Sequence, residues 1–487
     1  MTEIVEALLP KSVNGNDPND HQHDPEYISK LHLTSVPSEE KSIDSSVEQA
    51  IDNQDDLAVI FTEKYRRELR YVPSIGKWYV WDGTRWVVDI VLAVYDLIRR
   101  LCRQYCSSNK ETRKKMLNGA TISAIERMVR SDPAHAITLD VWDQNDWVLN
   151  TPAGIVNLES GETTPHNPEA YCTMITGAGP EGTCPEFLKF LHDITEGDED
   201  LIGFLQRIFG YACTGSTKGH ALFFFYGTGG NGKGTLLNTI LDILNDYSVT
   251  APMSVFTESK HNAHPTELAL LMNARLVVAQ ETNEGKRWDE ARIKTLTGAD
   301  PITARFMRQD FFTFLPKFTL IIAGNHKPSL YSVDPAIKRR VHLIPFNVTI
   351  PKDKCDPDLP EKLKAESAGI MQWMIDGVLD YSEIGLSPPQ SVLDATKNYF
   401  DDEDVYQQWV KDCCVTGKDC RDAPTDLFES WKEYATEGNL NVGNTKTFKS
   451  KLESMGFHQT KTGTKGRRYK GIEVKAQKPN FPTKHMT

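Results

Sequence analysis

The stretch ALFFFYGTGGNGKGTLLNTILDILND, residues 221–246, decides the fold. ALFFFYG (221–227) is a short, unbroken apolar run, the pattern of a buried strand. TLLNTILDILND (235–246) repeats Leu and Ile at helical spacing. Between them stands GTGGNGKGT (227–235). Its glycines let the backbone curl so that several N–H groups point inward at an anion. The helix start adds partial positive charge, and Lys233 adds a point charge suited to β- and γ-phosphates. Strand, glycine-rich loop and helix in that order form a Walker A pattern. It places Gly227, Gly229, Gly230, Asn231, Gly232, Lys233, Gly234 and Thr235 around ATP. The residue after the lysine is ordinarily Ser or Thr, whose hydroxyl holds Mg²⁺. Here it is Gly234, with Thr235 next. One residue on a helix turns a side chain by about 100°, so Thr235 serves as a metal ligand only if the first turn adjusts.

Three further apolar runs read as parallel strands: ARLVVAQE (274–281), FTLIIAGN (318–325) and VHLIPF (341–346). Separated by helical patterns, they predict an α/β core with a doubly wound parallel sheet. ARLVVAQE ends on Glu281, with Glu284 three residues on. An acid at that strand end matches the Walker B role of holding Mg²⁺ or polarising water. Gln280 stands where a second acid is common. FTLIIAGN ends on Asn325, a polar group placed to meet the γ-phosphate or the water; the plainer alternative is an Asx turn. Arg339 and Arg340 precede the last strand as a solvated pair or as a finger for a neighbouring subunit's phosphate.

Outward from this core, the composition divides the chain. Residues 1–56 carry thirteen acidic and three basic side chains, which predicts a disordered acidic tail. Residues 57–183 bring five tryptophans and a KWYVWDGTRWVVD hairpin pattern, an α+β domain with the rings as packing. Residues 184–350 hold two helical segments and the ATPase core, and 351–423 read as helical with a break at Pro388-Pro389. Residues 424–487 read as two helices, with Thr425 and Asn444 or Thr445 as caps, and a basic hairpin: a small winged-helix-like module. No stretch reaches the ~20 apolar residues of a membrane span. The nine cysteines lack metal-ligand spacing and predict a reducing, cytoplasmic setting.

Taken alone, a net charge of −12 argues against a DNA-binding protein, but the tail holds −10 of it. Residues 444–487 carry eleven Lys/Arg against two Glu. Over a Debye length of roughly 8–10 Å, local clusters decide phosphate attraction. Lys446 and Lys449 on the second helix, with Arg467, Arg468 and Lys470 on the hairpin, are the candidate contacts to duplex DNA.

The motif order, phosphate loop, LVVAQETNE, IKTLTGADPITARFMRQDFFTFLPKF, LIIAGN and KRR, resembles superfamily 3 helicases. It is most similar to the phage and plasmid primase-helicase family that includes poxvirus primase-helicases. The resemblance covers roughly residues 60–475. It implies an AAA+-like ATPase acting as an ATP-dependent DNA helicase in replication. It assigns Lys233 to the phosphates, Thr235 and Glu281 to Mg²⁺, Asn325 to sensor 1, and Arg340, less so Arg339, to the finger. Lys294, Arg305 and Arg308 fall in the region leading into a hairpin that contacts a single strand in a ring's pore. A homo-hexamer, a partner primase or polymerase, and a phage, prophage or mobile-element origin in a bacterial host are further implications. With no primase polymerase domain upstream of residue 57, primer synthesis by this chain alone is not expected. Two rivals remain: a nucleotide-binding initiator or scaffold that does not unwind DNA, and a small-molecule kinase.

Overall fold

The computed structural model describes residues 53–105, 109–258, 265–280, 287–307, 310–330, 335–351, 353, 355–438, 440, 442–461 and 467–475. The chain divides into two compact units. One is Met1–Pro328 with Arg339–Leu393, and the other is Ser329–Lys338 with Asp394–Thr487.

The first unit begins with a helix, Gln54–Tyr65, three residues earlier than the composition shift suggests. Asn53 caps it, its side-chain oxygen accepting from Asp56 N at 2.8 Å. The reading of a disordered tail falls otherwise outside the described residues. Strands β1 (Leu69–Val72), β2 (Lys77–Trp81) and β3 (Trp86–Val88) form an antiparallel sheet. Asp82 closes the β2–β3 turn, its carboxylate accepting from Thr84 N and Arg85 N. Trp78, Trp86 and Trp142 are buried, as packing requires. A second antiparallel sheet follows: β4 (Val148–Thr151), β5 (Gly154–Asn157) and β6 (Thr163–Thr164).

The core of this unit is a five-stranded parallel sheet. Its strands are β7 (Leu222–Tyr226), β8 (Ser248–Thr250), β9 (Leu276–Gln280), β12 (Thr319–Gly324) and β13 (Val341–Pro345), in spatial order β13-β7-β12-β9-β8. A small antiparallel pair, β10 (Ile302–Ala304) and β11 (Phe312–Phe314), stands between β9 and β12 in sequence. Burial on both faces explains the unbroken apolar runs. Phe223 and Phe225 join a core shared with the helices Pro185–Thr195, Glu199–Cys213, Lys233–Leu244 and Ser367–Ile384. Phe224, on the opposite face, meets Trp288 edge-on at 5.7 Å. The helices Glu199–Cys213 and Ser367–Ile384 approach glycine to glycine. A Cβ on Gly210 would lie 2.3 Å from the carbonyl carbon of Gly377. The short strand β8 was not legible as a strand, because Ser-Val-Thr lacks an apolar run.

Arg275, 5% exposed, fastens this sheet to the β4 region. Its guanidinium donates to the carbonyls of Cys213 (2.6 Å), Val148 (2.7 Å) and Asn145 (3.2 Å) and covers the Tyr247 ring. A buried charge is tolerable when its donors are met this fully.

His342 on β13 stacks on Phe223 at 5.5 Å, and burial pushes its imidazole down to about 4. The unfolded chain therefore binds a proton the folded chain refuses. Stability present above about pH 6.5 is expected to drain as pH falls toward 4, by up to about 3 kcal/mol. Urea midpoints at pH 7 and 4.5 check this. The native chain loses more stability than His342→Phe, and equal losses would remove His342 from the account.

The second unit holds the helices Val405–Cys413, Pro424–Glu437 and Thr445–Ser454 with strands β14 (Cys414–Asp422), β15 (His458–Lys461) and β16 (Arg467–Val474). The sheet order is β14-β16-β15, antiparallel throughout. Trp409, Trp431 and Phe448 fill its core. Asn444 caps the third helix through Thr447 N at 2.9 Å. Thr425 is not a cap: the helix Pro424–Glu437 starts from Ala423, with proline at its first position, and the Thr425 hydroxyl turns to Asp426. Strand β14 was missed because CVTGKDCRD is polar; it is held by backbone pairing with β16.

Candidate functional site

The glycine-rich loop leaves β7 at Tyr226 and ends where the helix Lys233–Leu244 begins. Gly227 (φ 155°) passes so close to β13 that a Cβ there would lie 2.0 Å from the Phe346 carbonyl oxygen. Gly232 takes φ 81°, and its Cβ would meet Ile194 at 2.6 Å. The segment after β13 straps the loop down: Phe346 N donates to Tyr226 O (2.8 Å) and Ile350 N to Gly230 O (2.9 Å). At Gly229, Gly230 and Gly234 an added Cβ meets nothing within 4 Å, so the loop faces open space there.

Lys233 is 7% exposed, and burial lowers its ammonium from the usual range. Its Nζ donates to Gly227 O at 2.9 Å and Asn231 Oδ1 at 3.0 Å. Asn231 is itself fixed, donating from Nδ2 to Phe346 O at 3.1 Å. The ammonium is thus held in place by two neutral oxygens. Phosphate oxygens are stronger acceptors for it, through charge-assisted bonds. The role of Asn231 as the lysine's tether was not legible in the sequence.

The sheet register places the other candidates. Gly324 pairs with Tyr226 and Gln280 with Ala323, so β12 and β9 end on the side where the phosphate loop begins. Asn325 is exposed at that end. Glu281 and Glu284 lie outside the described residues. Gln280 turns its amide toward Asn238 at 3.4 Å. Thr235 is half-buried on the first helical turn. Lys327, two residues beyond Asn325 and not marked by any motif, sets its ammonium 4.1 Å from the Tyr226 ring.

Arg339 and Arg340 stand at the other end of the sheet. Leu222 N donates to Arg340 O at 2.7 Å, five residues before Gly227. At about 3.3 Å per strand residue, some 16 Å separate that backbone point from the phosphate loop of the same chain.

Lys294 lies on the helix Glu290–Leu296. Arg305 follows β10, with its guanidinium 5.0 Å from the Phe311 ring. Met307 and Phe311 are more than half exposed on the same hairpin. Arg308 lies outside the described residues. In the second unit, Lys446 and Lys449 are exposed, and Lys449 reaches Glu453 at 3.7 Å. On β16, Tyr469 is buried, so alternation sets Arg468 and Lys470 together on the opposite face and Arg467 apart from them. Arg468 and Lys470 belong to the second unit, and Lys294 and Arg305 to the first.

A family profile described as D5 N-terminal-like matches residues 58–196, and one of a family of unknown function matches residues 225–340. The putative helicase L207/L206 of Acanthamoeba polyphaga mimivirus is 23% identical over 437 residues, covering 78% of this chain and 45% of its own. Putative helicase 022R of frog virus 3 is 25% identical over 317 residues, 60% of this chain and 31% of its own. Primase D5 of fowlpox virus is 26% identical over 190 residues, 36% of this chain and 24% of its own. These matches support a D5-like primase-helicase relationship for the chain. This D5-like chain spans less than half the length of those relatives. Its fold is similar to the apo NrS-1 C-terminal region (305–718), with a TM-score of 0.51 at 12% identity, covering 86% of this chain and 100% of that one. Among the described residues, no helix is long and apolar enough to cross a membrane.

Proposed function

We propose that this D5-like chain is an ATP-dependent DNA helicase or translocase of superfamily 3, acting in replication. The observation that carries the reading is the buried Lys233, tethered by Asn231 and Gly227 where a glycine loop meets a helix start. Helicase-named viral relatives and the D5-like region support a replication role. On ATP binding, Lys233 exchanges its two neutral oxygens for β- and γ-phosphate oxygens, while loop N–H groups hold the rest. Open space beside Gly234 leaves room for a metal and its waters. Thr235 and Glu281 would hold Mg²⁺, which would neutralise phosphate charge. Asn325 orients the attacking water. Arg340, with Arg339 beside it, acts on a neighbouring subunit's phosphate, since its own loop lies at the far end of the sheet. A hexameric ring satisfies this, with Lys294, Arg305 and Arg308 leading to the threaded single strand. The basic module, with its winged-helix-like order, holds duplex DNA, and a separate primase or polymerase completes the machinery.

A forked duplex with one labelled strand tests this. ATP and Mg²⁺ are expected to release the strand, and Lys233→Ala to abolish release. ATP binding with no release on either fork polarity would assign the chain to the initiator or scaffold class instead.

A further inference from the structure

Within the second unit lies a cleft of about 690 Å³, touched by the sequence motifs only at Lys338, the first residue of KRR. Lys338, Lys411 and Lys451 line it against a single carboxylate, Asp404, while Phe457 and Met455 supply an apolar wall. Asp404 is 5% exposed and already engaged. It caps the helix Val405–Cys413 through Gln407 N at 3.3 Å and meets Lys451 Nζ at 3.3 Å. Three ammoniums against one carboxylate leave a positive excess of two in the lining. Lys338 lies 5.9 Å from the Phe400 ring. Among the described residues, neither Lys338 nor Lys411 forms a side-chain ion pair.

Ammoniums beside a half-buried aromatic ring are the combination that grips an unpaired strand: charge for the phosphates, a ring face for a base. A free phosphate requires only the charges. We propose that this cleft binds the phosphodiester backbone of an unpaired DNA strand, with Lys338 and Lys411 on its phosphates and Phe457 against a base. The site is separate from the β16 face that carries Arg468 and Lys470. Lys338 directly precedes Arg339 and Arg340, so strand capture acts one residue from the arginine pair. The proposal rests on the reading of the chain as a DNA motor.

The test is fluorescence anisotropy of a labelled oligo(dT) with the full chain, without nucleotide, across graded salt. In Lys338→Gln/Lys411→Gln, affinity at low salt is expected to fall about tenfold or more. The slope of log K against log salt is expected to shrink by about 1.4, two phosphate contacts on a single strand. The Lys338→Arg/Lys411→Arg variant keeps affinity and slope, separating lost charge from lost fold. Unchanged affinity and slope in the glutamine variant would overturn the proposal. So would a loss confined to blunt duplex. A loss of inorganic pyrophosphate binding with oligo(dT) binding intact would also overturn it, assigning the cleft to a free anion. Because binding is read without ATP, a chain that fails to hydrolyse ATP yet shows the oligo(dT) loss sinks the motor reading and leaves the cleft standing.

Discussion

Replacing Lys233 with alanine is expected to cut ATP turnover at least about 100-fold, the scale set by removing one preorganised donor from a site where charge develops. Lys233 is held before the nucleotide arrives, by Gly227 O and Asn231 Oδ1, so little reorganisation is needed when phosphate binds. The substitution also leaves Asn231, 3% exposed, with an unmet acceptor, at a cost of about 1–3 kcal/mol. Denaturant unfolding therefore accompanies the kinetics. A modest drop in midpoint with turnover nearly abolished is the expected pair of results. Turnover within about threefold of native, with the fold intact, would show that the loop does not cradle the reacting phosphates.

The second large effect is at Arg340. Alanine there is expected to reduce turnover about 10³-fold while nucleotide binding persists, the range known for arginine fingers. The sheet register gives the sharper form of this prediction. The Arg340 backbone sits at the opposite end of the sheet from its own phosphate loop, so on the proposed reading it serves a loop on another subunit. Arg340→Ala and Lys233→Ala chains, each inactive alone, should then complement when mixed. In a randomly mixed ring of equal parts, about a quarter of interfaces pair an intact loop with an intact arginine. Recovery toward that fraction is the expected readout in a coupled hydrolysis assay. No recovery, in a mixture shown to co-assemble, would mean that the arginine has no role across an interface.

Much of the core was legible because parallel strands buried on both faces write themselves as apolar runs. Four of the five strands were legible within a residue or two of their ends. The phosphate loop was legible because glycine at a close backbone approach and lysine at a helix start are both local demands. What sequence could not supply was long-range. Phe346 and Ile350 strap the loop from more than a hundred residues away. Asn231 was placed around ATP by the motif, but its part in holding Lys233 shows only in its two partners. Strand β14 is polar and exists only by pairing with β16. The grouping of Ser329–Lys338 with the C-terminal unit left no periodic signal. Glu281 and Arg308, outside the described residues, keep the roles that motif order gives them as proposals.

The most direct test of the motor reading is steady-state ATP hydrolysis by the full chain, with Mg²⁺, in the absence and presence of single-stranded DNA. Turnover stimulated several-fold or more by DNA, and lost in Lys233→Ala, is what the account predicts. Tight nucleotide binding with no turnover under any DNA condition would contradict it.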